Sequence, residues 1–213
     1  MTLPSAGSGP FGDTGHMCAF FHDRDEEYRA LRSFVLDGFG LGDRGFHIVD
    51  PARLDDHRRR LTQGGIDVAG AEADGRLEIR DWSQAHLRGG RFDRDLMVAL
   101  AAEAIEETRR RGYRRTRFVT HMEWALAVGL PADHLAEYEA KANYSVPRDG
   151  DPVICVYDLT RWGGQTLVDM VRTHHKVIIG GVLHENPFFI APDEFLLELR
   201  TRNGAGPGNG SFP

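Results

Sequence analysis

Lysine is nearly missing. Lys141 and Lys176 are the only two in 213 residues, so almost all the positive charge is arginine, and with 25 glycines this usage points to a GC-rich bacterial genome. The formal net charge of −6 leaves no general surplus of cations for a phosphate backbone, and nucleic acid is not expected as a partner. Cysteine is scarce too. Cys18 and Cys155 both fall in apolar, strand-like runs, which favours two buried reduced thiols over a ligand pair or a disulfide. No basic segment followed by an apolar stretch opens the chain, and no apolar run is long enough to span a bilayer. A membrane is therefore not expected as a partner, and the expected location is cytoplasmic. No internal repeat is visible.

One further absence is local. His16–Pro51 reads as strand, turn, helix, turn, strand: His16–Phe21 is an apolar strand, Tyr28, Leu31 and Val35 follow at helical spacing, and Phe46–Val49 is a second strand. Such a βαβ unit implies a parallel pair. In a nucleotide-binding unit the first turn would be rich in glycine and carry a lysine. Here it is His22-Asp23-Arg24-Asp25-Glu26-Glu27, with neither, and its four carboxylates would repel a triphosphate. Asp23 and Glu26 instead have the spacing of a capping box.

The rest of the chain alternates in the same way. A polar, arginine-rich helix is expected from Pro51 to Leu61, an irregular connection over Ile66–Arg76 and a half-exposed strand over Leu77–Trp82. A long helix is expected over Phe92–Arg111, with Leu96, Met97, Leu100, Ala101, Ala104 and Ile105 as its buried stripe. Arg117–Thr120, Pro152–Tyr157 and Val177–Ile179 read as strands, Ala132–Tyr144 and Gly164–Thr173 as helices, and Asp193–Leu199 as a final amphipathic segment. The expected fold is α/β, a mostly parallel central sheet with helices on both faces. Residues 13–200 are expected to form this one domain, between disordered segments at 1–12 and 201–213.

In an open parallel sheet, ligands sit beyond the carboxyl ends of the strands. His22, Asp50, His121 with Glu123, Asp158 after Tyr157, and His184-Glu185-Asn186 each follow an expected strand, so together they form a candidate ligand-binding rim. Asp50 before Pro51, and Asp158, could instead cap turns. His47, alternating with Phe46 and Ile48, reads as a hydrogen-bonded core histidine. His16 lies at the far end of its strand, and His174-His175 fits a helix C-terminus. His121-x-Glu123 and His184-Glu185 offer metal donors without the spacing that sets two imidazoles on one helical face, so no metal or other cofactor is expected.

Six segments taken in order, HMCAFFHDRDEEY, FHIVDP, HMEWAL, EYEAKANY, ICVYDL and GGVLHENPFF, resemble the MEDS domain, the methanogen/methylotroph sensory domain named after the dichloromethane dehalogenase repressor. The resemblance runs from His16 to Leu199. It implies a fold related to RecA- and KaiC-like ATPases with the phosphate-binding loop lost, and a role in sensing small hydrocarbon derivatives within signalling or transcription regulators. The matching motif positions are His16, Cys18, Asp50, His121, Glu123, Tyr157, Asp158, His184, Glu185 and Asn186. With no output domain expected after Leu199, the chain would act through a protein partner. Two other readings stand beside the sensor: a protein–protein adaptor with no ligand, and a residual metal-assisted hydrolase.

Overall fold

The computed structural model describes residues 15–145 and 150–204. The ends expected to be disordered lie outside these residues, except that the last helix continues through Gly204 and so past the expected end at Leu199. In chain order the elements are β1 (His16–Phe21), α1 (Arg24–Gly40), β2 (Arg44–Val49), α2 (Leu54–Gln63), α3 (Val68–Ala73) and β3 (Leu77–Asp81). There follow α4 (Arg94–Arg110), β4 (Thr116–His121), α5 (Trp124–Ala127), α6 (Ala132–Ala142), β5 (Val153–Asp158), α7 (Gly164–Arg172), β6 (Lys176–Ile179), β7 (Val182–Glu185) and α8 (Pro192–Gly204). Short 3-10 turns follow β2 and β3.

Seven strands form one sheet in the order β3-β2-β4-β5-β1-β6-β7. All neighbours are parallel except β6 and β7. The expected α/β sheet is present, with three corrections. β1 and β2 run parallel but do not pair, because β5 and β4 lie between them. The stretch expected to be irregular contains α3, whose start is capped by Asp67 accepting the Gly70 N–H at 3.0 Å. Beyond Ile179 the chain turns back at Gly180 and Gly181 into β7. Both glycines have positive φ, as a tight hairpin of this kind requires.

Strand alternation sorts side chains onto two faces. Met17, Ala19, Phe21, Val119, Ile154 and Val156 pack against Ala30, Leu31 and Phe34 of α1. Cys18, Phe20, Cys155 and Tyr157 face the other way, toward Leu135 and Ala136 of α6, Met170 of α7 and Phe195 of α8. On that second face Phe46, Ile48 and Phe118 meet Met97, Leu100 and Ala104 of α4. Leu96, expected in the buried stripe, is 42% exposed.

Buried charge ties the turn between α1 and β2 to the start of β4 and the segment before it. Asp43 accepts from Arg117 Nε at 2.7 Å, Arg114 Nε at 2.8 Å and Arg115 Nε at 3.2 Å. The Arg117 side chain passes so close to α1 that a Cβ at Gly38 would lie 2.5 Å from its Cδ. Among the described residues no helix is long and apolar enough to cross a membrane.

Candidate functional site

Parallel pairing of β2, β4, β5 and β1 brings His22, Asp50, His121, Glu123 and Asp158 to one rim, at the carboxyl ends of the strands. There they are used individually. The Asp50 carboxylate accepts the Ala52 N–H at 2.9 Å, and Asp158 accepts from the Thr160 N–H at 2.9 Å and hydroxyl at 2.6 Å. Both cap turns. Glu123 is buried and accepts the Asp158 N–H at 3.1 Å. The turn before α1 is closed by its own carboxylates, since Asp23 accepts the Glu26 N–H at 2.8 Å and Glu26 accepts the His22 N–H at 3.1 Å. These are donors that a phosphate would otherwise use.

His121 has a partner from outside the rim set. Its Nε2 lies 2.9 Å from Oε1 of the buried Glu27 in α1. Burial pushes the His121 pKa down, but the Glu27 charge and hydrogen bond outweigh this and hold it up. Beside this pair, His47 Nδ1 meets His57 Nε2 at 2.9 Å, and the Tyr28 hydroxyl meets His57 Nδ1 at 2.6 Å. Burial lowers both histidines, His47 to about 3, so they are neutral. The expectation for His47 as a hydrogen-bonded core histidine holds.

His184, Glu185 and Asn186 do not join this rim. Because β7 is antiparallel, Glu185 pairs with Lys176 at the opposite end of the sheet. His184 and Glu185 are exposed there. Asn186 is buried and donates to the carbonyls of Val171 at 2.6 Å and His174 at 2.7 Å. Tyr157 points to the other face, where its hydroxyl donates to Glu139 Oε1 at 2.8 Å.

On that other face lies a cleft of about 570 Å³ between α4 and α6, over β2, β4 and β5. Its walls include Phe46, Ile48, Leu100, Ala101, Phe118 and Val153. Charged and polar residues also line it, among them Arg94, Asp95 and Lys141, and two buried polar groups stand out. One is His86, stacked on Trp124 and 3.3 Å from the Thr120 hydroxyl, which burial holds neutral with a pKa lowered to about 3. The other is the set His16, Glu139 and Cys155. His16 Nε2 is 3.1 Å from Glu139 Oε2 and 3.3 Å from Cys155 Sγ, and His174 Nε2 is 3.4 Å from the same carboxylate oxygen. All four residues are at most 3% exposed. Burial would raise the Glu139 pKa, but the bonds from His16 and His174 outweigh it and hold the carboxyl far below its ordinary range. Burial, followed by the Glu139 charge, pushes the Cys155 thiol up.

A profile of the methanogen/methylotroph, DcmR sensory domain, MEDS, matches residues 15–175. The chain belongs to the MEDS family. Both buried polar clusters lie inside the matched span, whereas the GGVLHENPFF segment lies beyond it. No curated protein matches this MEDS domain. Among solved structures it is similar to a KaiC-like protein from the hyperthermophilic archaeon Pyrococcus horikoshii OT3, with 16% identity and a TM-score of 0.55 over 78% of this chain and 69% of that one. At that identity the likeness establishes the RecA/KaiC-like fold alone.

Sequence reasoning missed Glu27, His57, His86, Glu139 and His174. A signal existed for three of them. Glu27 shares a helical stripe with Leu31 and Phe34, His57 with Leu61, and Glu139 with Leu135 and Ala136, so each is an ionisable side chain on an apolar stripe.

Proposed function

We propose that this MEDS domain senses a small, largely apolar molecule, a one-carbon or short hydrocarbon derivative, bound in the cleft between α4 and α6. The observation that carries the reading is the cleft itself. About 570 Å³ is within the usual range of small-molecule sites, and apolar walls interrupted by a few buried polar groups are the usual chemistry of one. The site then lies on the α4 and α6 face of the sheet rather than at the rim expected from the sequence. Binding would change how α4 and α6 pack, and a protein partner in a regulatory pathway would read that change.

A ligand present at a hundredfold excess over its Kd stabilises the fold by about 2.7 kcal/mol. For a domain of this size that is a rise of roughly 5–10 °C in Tm. Thermal-shift measurements with halogenated and methylated one-carbon compounds test this. The wild-type chain should be stabilised, Ala101→Trp, which fills the cleft, should not be, and His121→Gln at the rim should respond as wild type. Absence of any shift at millimolar ligand would count against the proposal.

A second reading keeps the ligand at the rim, including His22, Asp50, His121, Glu123 and Asp158. Its support is that His121 Nδ1 and His47 Nε2 are buried without a hydrogen-bond partner. The same experiment separates the two, because a rim ligand would lose its effect in His121→Gln and keep it in Ala101→Trp. The adaptor reading draws on exposed apolar residues at the sheet edge, Ile179 and Val182 on the hairpin and Phe188 after it.

A further inference from the structure

Four donor residues far apart in the chain meet beside the cleft: His16 at the start of β1, Glu139 on α6, Cys155 on β5 and His174 after α7. One ligating atom from each lies within 4.8 Å of the others. Around Glu139 Oε2 stand His16 Nε2 at 3.1 Å, His174 Nε2 at 3.4 Å and Cys155 Sγ at 3.7 Å, while His16 Nε2 and Cys155 Sγ are 3.3 Å apart. For zinc, with bonds of about 2.0–2.1 Å to nitrogen and oxygen and about 2.3 Å to sulfur, tetrahedral donors stand about 3.3–3.6 Å from each other. Four of the six separations, at 3.1–3.7 Å, are already near that spacing, and the other two are within 4.8 Å.

The surrounding hydrogen bonds orient each donor. His174 Nδ1 lies 2.7 Å from the Met170 carbonyl, to which it can only donate, so in the neutral ring its Nε2 carries the lone pair. His16 Nδ1 faces Asn143 Oδ1 at 3.3 Å. That oxygen is the acceptor end of the amide, because Asn143 Nδ2 donates to the carbonyls of Glu139, Ala140 and Thr173. In the neutral ring His16 Nε2 therefore carries the lone pair as well. Tyr157 occupies Glu139 Oε1, leaving Oε2 to face both imidazoles. With both rings neutral, two lone pairs would face one carboxylate oxygen, so the cluster needs either a proton on an imidazole or a cation among the four atoms, and His174 Nε2, 3.4 Å from that oxygen, has no well-formed hydrogen bond.

We propose that His16, Glu139, Cys155 and His174 form a binding site for one divalent transition-metal ion of zinc-like preference. On binding, the Cys155 thiol gives its proton to solvent and the thiolate bonds the metal. The two negative charges of thiolate and carboxylate then balance the dication, so the buried centre is neutral overall, which suits a site with no exposed ligand. Asn143, the Met170 carbonyl and Tyr157 supply the outer hydrogen bonds that ligating imidazoles and carboxylates ordinarily have. The inference does not depend on the sensing proposal, since metal binding is read without any organic ligand.

The test is metal analysis and cobalt substitution on the full chain. Purified protein dialysed against zinc should hold one equivalent per chain. Replacement by Co(II) should give intense tetrahedral ligand-field bands and a thiolate-to-cobalt charge-transfer band. Cys155→Ser should lose the charge-transfer band, His174→Gln should lose stoichiometric binding, and Tyr157→Phe, which keeps all four donors, should weaken affinity about 10–100-fold. A folded wild-type chain that takes up far less than one equivalent would overturn the proposal. So would a cobalt spectrum unchanged in Cys155→Ser, or Tyr157→Phe binding metal as tightly as wild type.

Discussion

His121 and Glu27 form a buried pair in which each needs the other. Removing one partner leaves an uncompensated charge or an orphaned acceptor, at a cost of roughly 3–5 kcal/mol. His121→Leu should therefore lower unfolding stability in urea by that amount, and the double variant His121→Leu, Glu27→Leu should recover much of it. The pair also sets a pH dependence. The folded His121 pKa is raised above its unfolded value near 6.5, so its stabilisation is complete below that value and is lost as pH rises through the folded pKa. His47, His57 and His86 have the opposite sign. Each is lowered by burial, His47 and His86 to about 3, so the unfolded chain takes up protons that the fold refuses as pH falls below about 6.5. Thermal melts should accordingly lose stability from pH 6.5 toward pH 4, and His86→Gln should flatten that slope. An acid-side profile unaffected by His86→Gln would contradict the assignment of neutral buried imidazole.

Among the elements, α1 carries the clearest local constraint. Gly38 faces the Arg117 side chain, whose guanidinium is held by bonds to Asp43 and to the Phe34 carbonyl. Gly38→Ala gains helix propensity but overpacks against that arm, and should destabilise by about 1–3 kcal/mol in chemical unfolding. Much of this level was legible in the sequence. The strands His16–Phe21, Phe46–Val49 and Pro152–Tyr157, read as short apolar runs, the Asp23 and Glu26 capping box and the long helix ending at arginines all stand close to where the sequence puts them. What could not be read was tertiary. Whether Glu27 in an acidic first turn faces solvent or His121 depends on β4, which lies about ninety residues away. β7 was missed for a local reason, since a four-residue strand is too short for a pattern and only Gly180-Gly181 announces the hairpin.

For the whole molecule, the sheet order decides the site. Placing β4 and β5 between β1 and β2 separates two polar clusters by the thickness of the sheet: His121, Glu27, His57 and His47 on the α1 face, and His16, Glu139, Cys155 and His174 on the α6 face. Only the second opens onto the cleft, through His16, Glu139 and Cys155. A rim inferred from strand ends alone could not anticipate this, because His22, Asp50, His121, Glu123 and Asp158 do meet at one end of the sheet and yet turn individually into caps and pairs. The most direct measurement of the central claim is a fluorine NMR titration with a fluorinated one-carbon compound. The proposal predicts saturable broadening or shift of the probe with wild type and with His121→Gln, and none with Ala101→Trp. Binding that survives Ala101→Trp, or a probe that stays sharp with the wild-type chain, would contradict it.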